Sequence, residues 1–472
     1  MASSAASLLH ESASHLESDT ERVDVEAPIE KNNDDKNDDP IPDGGLHAWL
    51  VVLASFLIHG VTFGTQYAWG IFIAYLLAHD FAGRASAAEL SLVGTVGLAT
   101  VFLGGIVTGP LAKSVGVRPL VVAAAVILPV SLVLAAFATE VWQLVLTQGF
   151  LFGLGSALAY YPTVAVVAQW WDKRRSRAVG IAMAGSGVGA VALAWAAESM
   201  LSAYGRRTTT LATAATVAVC MAIAVFTVRE RIPPAKAAHG TPFRIPFDFG
   251  PLRDLRFRWL LGGLFMIPFG ALVPPFFLPA YVDYLGLDST WGPTLINVLN
   301  GTSIAGRILV GVAADHVGNF TAMAVTSTVA GLSCLSWLFC ASPGSLIVMA
   351  AIFGFADGGY VSNFFLFRNC FLTIFWIRRI TLQPGCAAQI FGLENLAGTV
   401  GLVYAALAIG HFASGPIAGL LVHSSVSPHG SGGVAAAGYT LPIAYAGIMA
   451  TLGAIALVYL RVVIFGPGSL RR

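Results

Sequence analysis

From residue 46 onward, apolar residues run in long blocks parted by short segments that hold Gly, Pro, Arg and Lys. A helix needs roughly 20 mostly apolar residues to cross the hydrocarbon core of a bilayer. The blocks predict twelve such helices, at 46–78, 87–108, 119–138, 141–168, 177–199, 208–228, 258–282, 290–312, 320–340, 344–367, 390–422 and 439–464. They fall six and six around RERIPPAKAAHGTPFRIPFDFGPLRDLRFR, which starts at Arg229 and is too polar and too rich in Pro and Arg to span. Ahead of the first block, residues 1–42 are dominated by Ser, Glu, Asp and Asn, and bury too little apolar area to offset chain entropy. The expected organisation is a disordered acidic tail (1–42), a six-helix half (43–228), a linker (229–257) and a second six-helix half (258–472). The fold class is therefore all-α integral membrane, with twelve transmembrane helices.

Composition agrees, because only 11% of the 472 residues are charged and 56% are apolar, where a soluble chain carries about 25% charge. Net charge is near zero, but its distribution is informative. Basic residues fall in alternate loops: Lys113 and Arg118, then Lys173, Arg174, Arg175 and Arg177, then the linker, then Arg471 and Arg472. The positive-inside rule places these loops in the cytosol, and with them both termini. Arg84, Arg206 and Arg207 are the exceptions. The tail also lacks the basic start and apolar core of a signal peptide. A repeat supports the division into halves: GPLAKSVG at 109–116 and GVAADHVG at 311–318 each follow the second helix of their half, and GLGSALAYYP from 153 and GFADGGYVS from 354 recur at nearly the same offset. Parallel six-helix repeats with a site between them are a transporter architecture.

The motifs of other function classes are missing. The five cysteines stand singly in apolar context, and the histidines show no HExxH-like spacing, so neither a metal nor a disulfide framework is expected. Neither GxxxxGK[ST] nor GxGxxG followed by an acid occurs, and no GxSxG elbow is found. The chain is expected to be no enzyme, to hold no cofactor, to bind no nucleic acid and to act as a monomer in the plasma membrane.

Charged side chains within the hydrocarbon are costly and by default face a cavity. Arg307 is one; it faces such a cavity or pairs with Asp315 two turns on. Asp357 and Glu394 are carboxylates that could exchange protons there, unless they lie at helix ends. Asn297, Asn300, Gln66, Tyr160, Tyr161 and Tyr360, with Phe276, Phe277 and Tyr281, would suit a cavity lined by aromatics with a few polar anchors. The same aromatics suit a packed core equally well. Gly180 and Gly185 give the helix at 177–199 small surfaces for close packing.

Two motifs carry a resemblance. PDGGLHAW at 42–49, with Asp43, Gly44, Gly45 and Trp49, leads into the first helix. WWDKRRSRAVGIAMAGS at 170–186 spans a loop and the start of the fifth, with Lys173, Arg174 and Arg175 as topology determinants or, alternatively, gating partners of Asp43 or Asp172. Both are similar to signatures of the major facilitator superfamily, and within it of the monocarboxylate porter family, although Leu46 and Arg177 replace an aromatic and a Leu. The resemblance implies a secondary transporter whose halves rock around a midplane site, with Arg307 as the carboxylate-binding arginine. Ser303 stands where such members carry the accompanying acid, and HGVTFGTQYAWG lacks their lysine. Export of a carboxylated or hydrophobic secondary metabolite is therefore expected ahead of proton-linked uptake of a monocarboxylate or riboflavin, with a non-transporting sensor as a third reading. Joining GGYVS at 358–362 to LQPGCAAQI at 382–390 restores the family pattern, so NFFLFRNCFLTIFWIRRIT at 363–381 is expected to be an insertion.

Overall fold

A computed structural model describes residues 43–171, 174–231, 250–288, 290–376, 396–425 and 437–464. Every regular element among them is helical. Eleven helices are long and apolar enough to cross a membrane: α1 (Leu46–Ala78), α2 (Ala87–Val115), α3 (Val117–Ala136), α4 (Val141–Trp170), α5 (Arg175–Thr227), α6 (Leu255–Tyr284), α7 (Trp291–Val317), α8 (Asn319–Ser336), α9 (Pro343–Trp376), α10 (Leu396–Ser425) and α11 (Ala437–Tyr459). The expected count was twelve separate helices. The difference lies in α5, whose 53 residues break at Gly205 (φ 73°, ψ 174°). Its two arms correspond to the helices expected at 177–199 and 208–228, and each is long enough to cross.

The sequence repeat is a repeated backbone conformation. Gly116 has φ 87° and Gly318 has φ 86°, each forming the whole connection between the second and third helices of its half. A left-handed residue reverses the chain there without a loop, which glycine does at no steric cost. The new N-terminus at Val117 donates its N–H to the Glu230 carboxylate. The helix break, the capping box at Ser86 and Glu89 that opens α2 and these reversals are all local signals.

The first half is held at one end by the family motifs. Trp49 packs edge-on against Trp171 with ring centroids 4.9 Å apart, and Trp170 Nε1 donates to the Arg229 carbonyl at 3.0 Å. Gln169 accepts the Arg231 N–H at 3.1 Å. The start of the linker is thus strapped across the ends of α3 and α4; residues 232–249 lie outside the described residues. Gly44 and Gly45 face open space, Arg174 is exposed, and Lys173 lies outside the described residues, as does the Arg175 side chain.

At the opposite end the three basic exceptions are all engaged. Arg206 Nε lies 2.6 Å from Asp80 Oδ2, and its two terminal nitrogens donate to the Ala135 and Ala138 carbonyls at 2.9 and 2.8 Å. One guanidinium thereby joins the end of α1, the C-terminus of α3 and the Gly205 break, satisfying carbonyls a helix end leaves open. Arg84 pairs with Glu140 at 3.2 Å, and Arg207 lies 4.3 Å over the Phe137 ring. An Arg206→Ala chain is expected to lose about 2 kcal/mol of stability, read as a lower unfolding temperature in detergent. Arg206→Lys is expected to recover only part of it, because an ammonium cannot fork to three acceptors. Full recovery by Lys would show that charge alone suffices.

The α9 helix continues to Trp376, 34 residues in all, or about 50 Å at ~1.5 Å per residue, well beyond the hydrocarbon thickness. This is the segment expected to be an insertion; residues 377–381 lie outside the described residues.

Candidate functional site

The first helix of each half breaks near its middle. In α1 the helical bonding is interrupted at Ala68, and in α6 at Leu272, just before Pro274 and Pro275. Prolines remove helical donors, but Ala68 and Leu272 both keep right-handed helical angles, so each irregularity is confined to one residue. The two breaks meet. Gly70 packs against the Pro275 carbonyl, and Gly94 against the Phe276 ring, while Trp69 Nε1 donates to the Leu90 carbonyl at 3.0 Å.

Below this closure lies a cavity shared by the two halves. Phe63 and Tyr67 of α1, Leu98 and Phe102 of α2, and Ile267, Pro268 and Leu272 of α6 form a mostly apolar wall. Asn300, Ser303 and Arg307 of α7 with Asp357 and Tyr360 of α9 form a polar one, and α10 adds Leu407 and His411. The halves touch along two seams beside it. On one, Arg307 Nη1 donates to the Met183 carbonyl of α5 at 3.1 Å, and Gly187 lies against Ile304. On the other, His411 of α10 stacks on Phe102 of α2, and Gly415 lies against Ser91 and Thr95.

Arg307 is 2% exposed. Its guanidinium lies near enough to the Tyr67 phenol and the Asp357 carboxylate to interact with both electrostatically. Asp357, on another helix, is the acid beside Arg307. Asn300 Nδ2 and Ser303 Oγ, on the same wall, are buried without a protein partner, which leaves a donor and a hydroxyl for something in the cavity. The arrangement can bind an anionic head group through a charge-assisted, forked contact while an apolar body faces Phe63, Leu98 and Phe102.

The structure brings Arg307, Asn300, Tyr360 and Asp357 together. It places four other candidates outside the lining. Gln66 points its amide at Gly97 of α2, because one residue along a helix turns a side chain by about 100°; its neighbour Tyr67 faces the cavity instead. Asn297, one turn before Asn300, also lies outside. Tyr160 and Tyr161 sit in a row of rings behind the lining: Phe63 to Tyr160 at 4.9 Å, Tyr160 to Tyr161 at 4.8 Å, and Tyr161 to Tyr404 at 5.3 Å. Phe276 belongs to the closure, and Tyr281 donates to the Cys340 carbonyl at 3.0 Å. Glu394 lies outside the described residues. Sequence reasoning missed Tyr67 and His411, although an imidazole in an apolar helix was a signal.

The family model described as Major Facilitator Superfamily matches residues 53–368. The MFS-type transporter pynF of Aspergillus niger is 30% identical over 390 residues, covering 81% of this chain and 83% of the relative. The Agnestins efflux protein AgnL12 of Paecilomyces divaricatus is 28% identical over 375 residues (79% and 81%). The Aspyridones efflux protein apdF of Emericella nidulans is 27% identical over 387 residues (82% and 74%). Among solved structures, that of a mutant of the nucleoside transporter NupG is similar in fold, with a TM-score of 0.61 at 14% identity, over 88% of this chain and 99% of that one.

Proposed function

The chain belongs to the major facilitator superfamily, whose members are transporters and not enzymes, and from that premise we propose that it exports an amphipathic organic acid, a carboxylated secondary metabolite, by alternating access. The observation that carries this reading is the division of the cavity: a buried arginine flanked by unpartnered Asn300 and Ser303 atoms on one wall, aromatic and aliphatic side chains on the other. That two relatives are named as efflux proteins supports the outward direction. The motifs at 42–49 and 170–186 support placement with the monocarboxylate porters.

In this reading Arg307, Asn300 and Tyr360 bind the head group, and Asp357, beside Arg307, is the group through which protons are coupled, with Glu394 as the other candidate. The chain works as a monomer in the plasma membrane with both termini cytosolic, as the basic loops direct. The test is flux from cells expressing the chain with and without 363–381, loaded with labelled aromatic carboxylic acids, their methyl esters, or riboflavin. Export of acids but not esters is expected. Uptake of riboflavin without acid export would overturn the reading.

A further inference from the structure

The polar wall leaves one cavity-lining group without a task. His411 enters from α10, on the seam opposite the one that holds Arg307. Its ring is stacked on Phe102 with centroids 4.6 Å apart and planes 28° from parallel, so its orientation is fixed. Its Nδ1 lies 2.8 Å from the Leu407 carbonyl oxygen. A carbonyl only accepts, so Nδ1 carries the hydrogen, and in the neutral ring Nε2 is left as a lone-pair acceptor. The neighbouring lining residues Leu407, Phe102, Ile267 and Pro268 have apolar side chains and no donor to offer it.

Resting on the acid-exporter reading, we propose that His411 is the second polar contact of the ligand, its Nε2 accepting a hydrogen bond from a hydroxyl or N–H on the apolar body. The chain therefore selects hydroxylated or N–H-bearing organic acids over their deoxy counterparts. The head group is fixed at Arg307 on one seam and the body at His411 on the other, so an acid must satisfy both to bridge the halves. A site built to receive a substrate hydroxyl rejects the analogue lacking it far more strongly than an apolar pocket rejects a size change.

The test is binding of 6-hydroxy-2-naphthoate and of 2-naphthoate to the purified full chain, by calorimetric titration. The parent chain is expected to favour the hydroxylated acid by at least about tenfold. His411→Phe keeps a ring against Phe102 and removes the acceptor; its affinity ratio is expected to fall to about 1, with His411→Gln recovering part of it. Both affinities falling together with the ratio preserved would assign His411 to packing and overturn the proposal. Binding of both acids by the parent without preference would overturn it too, while leaving the acid-exporter reading intact. Binding of neither acid would overturn both.

Discussion

Arg307→Gln is expected to lower export of an organic acid on the order of 100-fold, the equivalent of about 3 kcal/mol, and to destabilise the chain. The two effects have different origins. Glutamine is too short to reach the Met183 carbonyl that Arg307 Nη1 meets at 3.1 Å, and it brings no charge for an anionic head group and none for Asp357. An acid left in the cavity wall without its cation is strongly unfavourable, and breaking such a pair costs about 3 kcal/mol or somewhat more when fully buried; Asp357 is half-buried, which puts the cost at or below that figure. Adding Asp357→Asn to Arg307→Gln removes the stranded charge, so the double variant is expected to unfold at nearly the parent's temperature while still failing to export. The cycle of four chains isolates the coupling. Strictly additive losses in unfolding temperature would show that the two side chains do not compensate one another, and preserved export by Arg307→Gln would place the anion site elsewhere.

The second large effect is expected from a glycine whose partner is backbone. Gly60 and Gly64 of α1 face Gly185 and Gly189 of α5, a pair of small residues four apart on each helix. A Cβ on Gly64 would stand 2.7 Å from the Gly189 carbonyl carbon, and one on Gly189 would overlap the Gly60 backbone. Neither helix can yield locally, so Gly189→Val must push the two apart along the length of the first half. A loss of at least about 3 kcal/mol is expected, the upper part of the overpacking range, read as loss of monodisperse protein after detergent extraction. Gly180, in the same family motif as Gly185, meets nothing within 4 Å. Gly180→Ala is therefore expected to be neutral or to stabilise by less than about 1 kcal/mol, since alanine is the better helix former. Equal behaviour of the two variants would remove backbone contact as the explanation.

The sequence reveals most of the fold because a membrane span announces itself by length. Each crossing needs its own apolar block, and the blocks at 46–78 and 141–168 correspond to α1 and α4 within a few residues. What it could not reveal is that Gly205 alone joins the two arms of α5, because a glycine in such a stretch does not announce its backbone angles. The site divides in the same way. Arg307 and Asp357 were legible because a charge in hydrocarbon has to be explained. Gln66 and Tyr67 were not distinguishable, since which of two adjacent residues faces the cavity depends on the rotation of α1 about its axis, and that is set by the Gly60 and Gly64 contacts with α5. Tyr160 and Tyr161 have the right chemistry for a lining, yet a second row of rings lies between the lining and the core, and no periodicity tells one row from the other.

Two contacts between the halves differ in kind. On the side of the α1 and α6 breaks, Gly70 rests on the Pro275 carbonyl, so swinging the Trp69 or Phe276 ring aside would not part the backbones and the halves must separate as bodies, a motion of microseconds to milliseconds. Behind the lining, Tyr161 of α4 faces Tyr404 of α10 at 5.3 Å, so there the halves meet through side chains and not through backbone. The ring contact can repack as the halves rock, whereas the glycine contact is either made or broken.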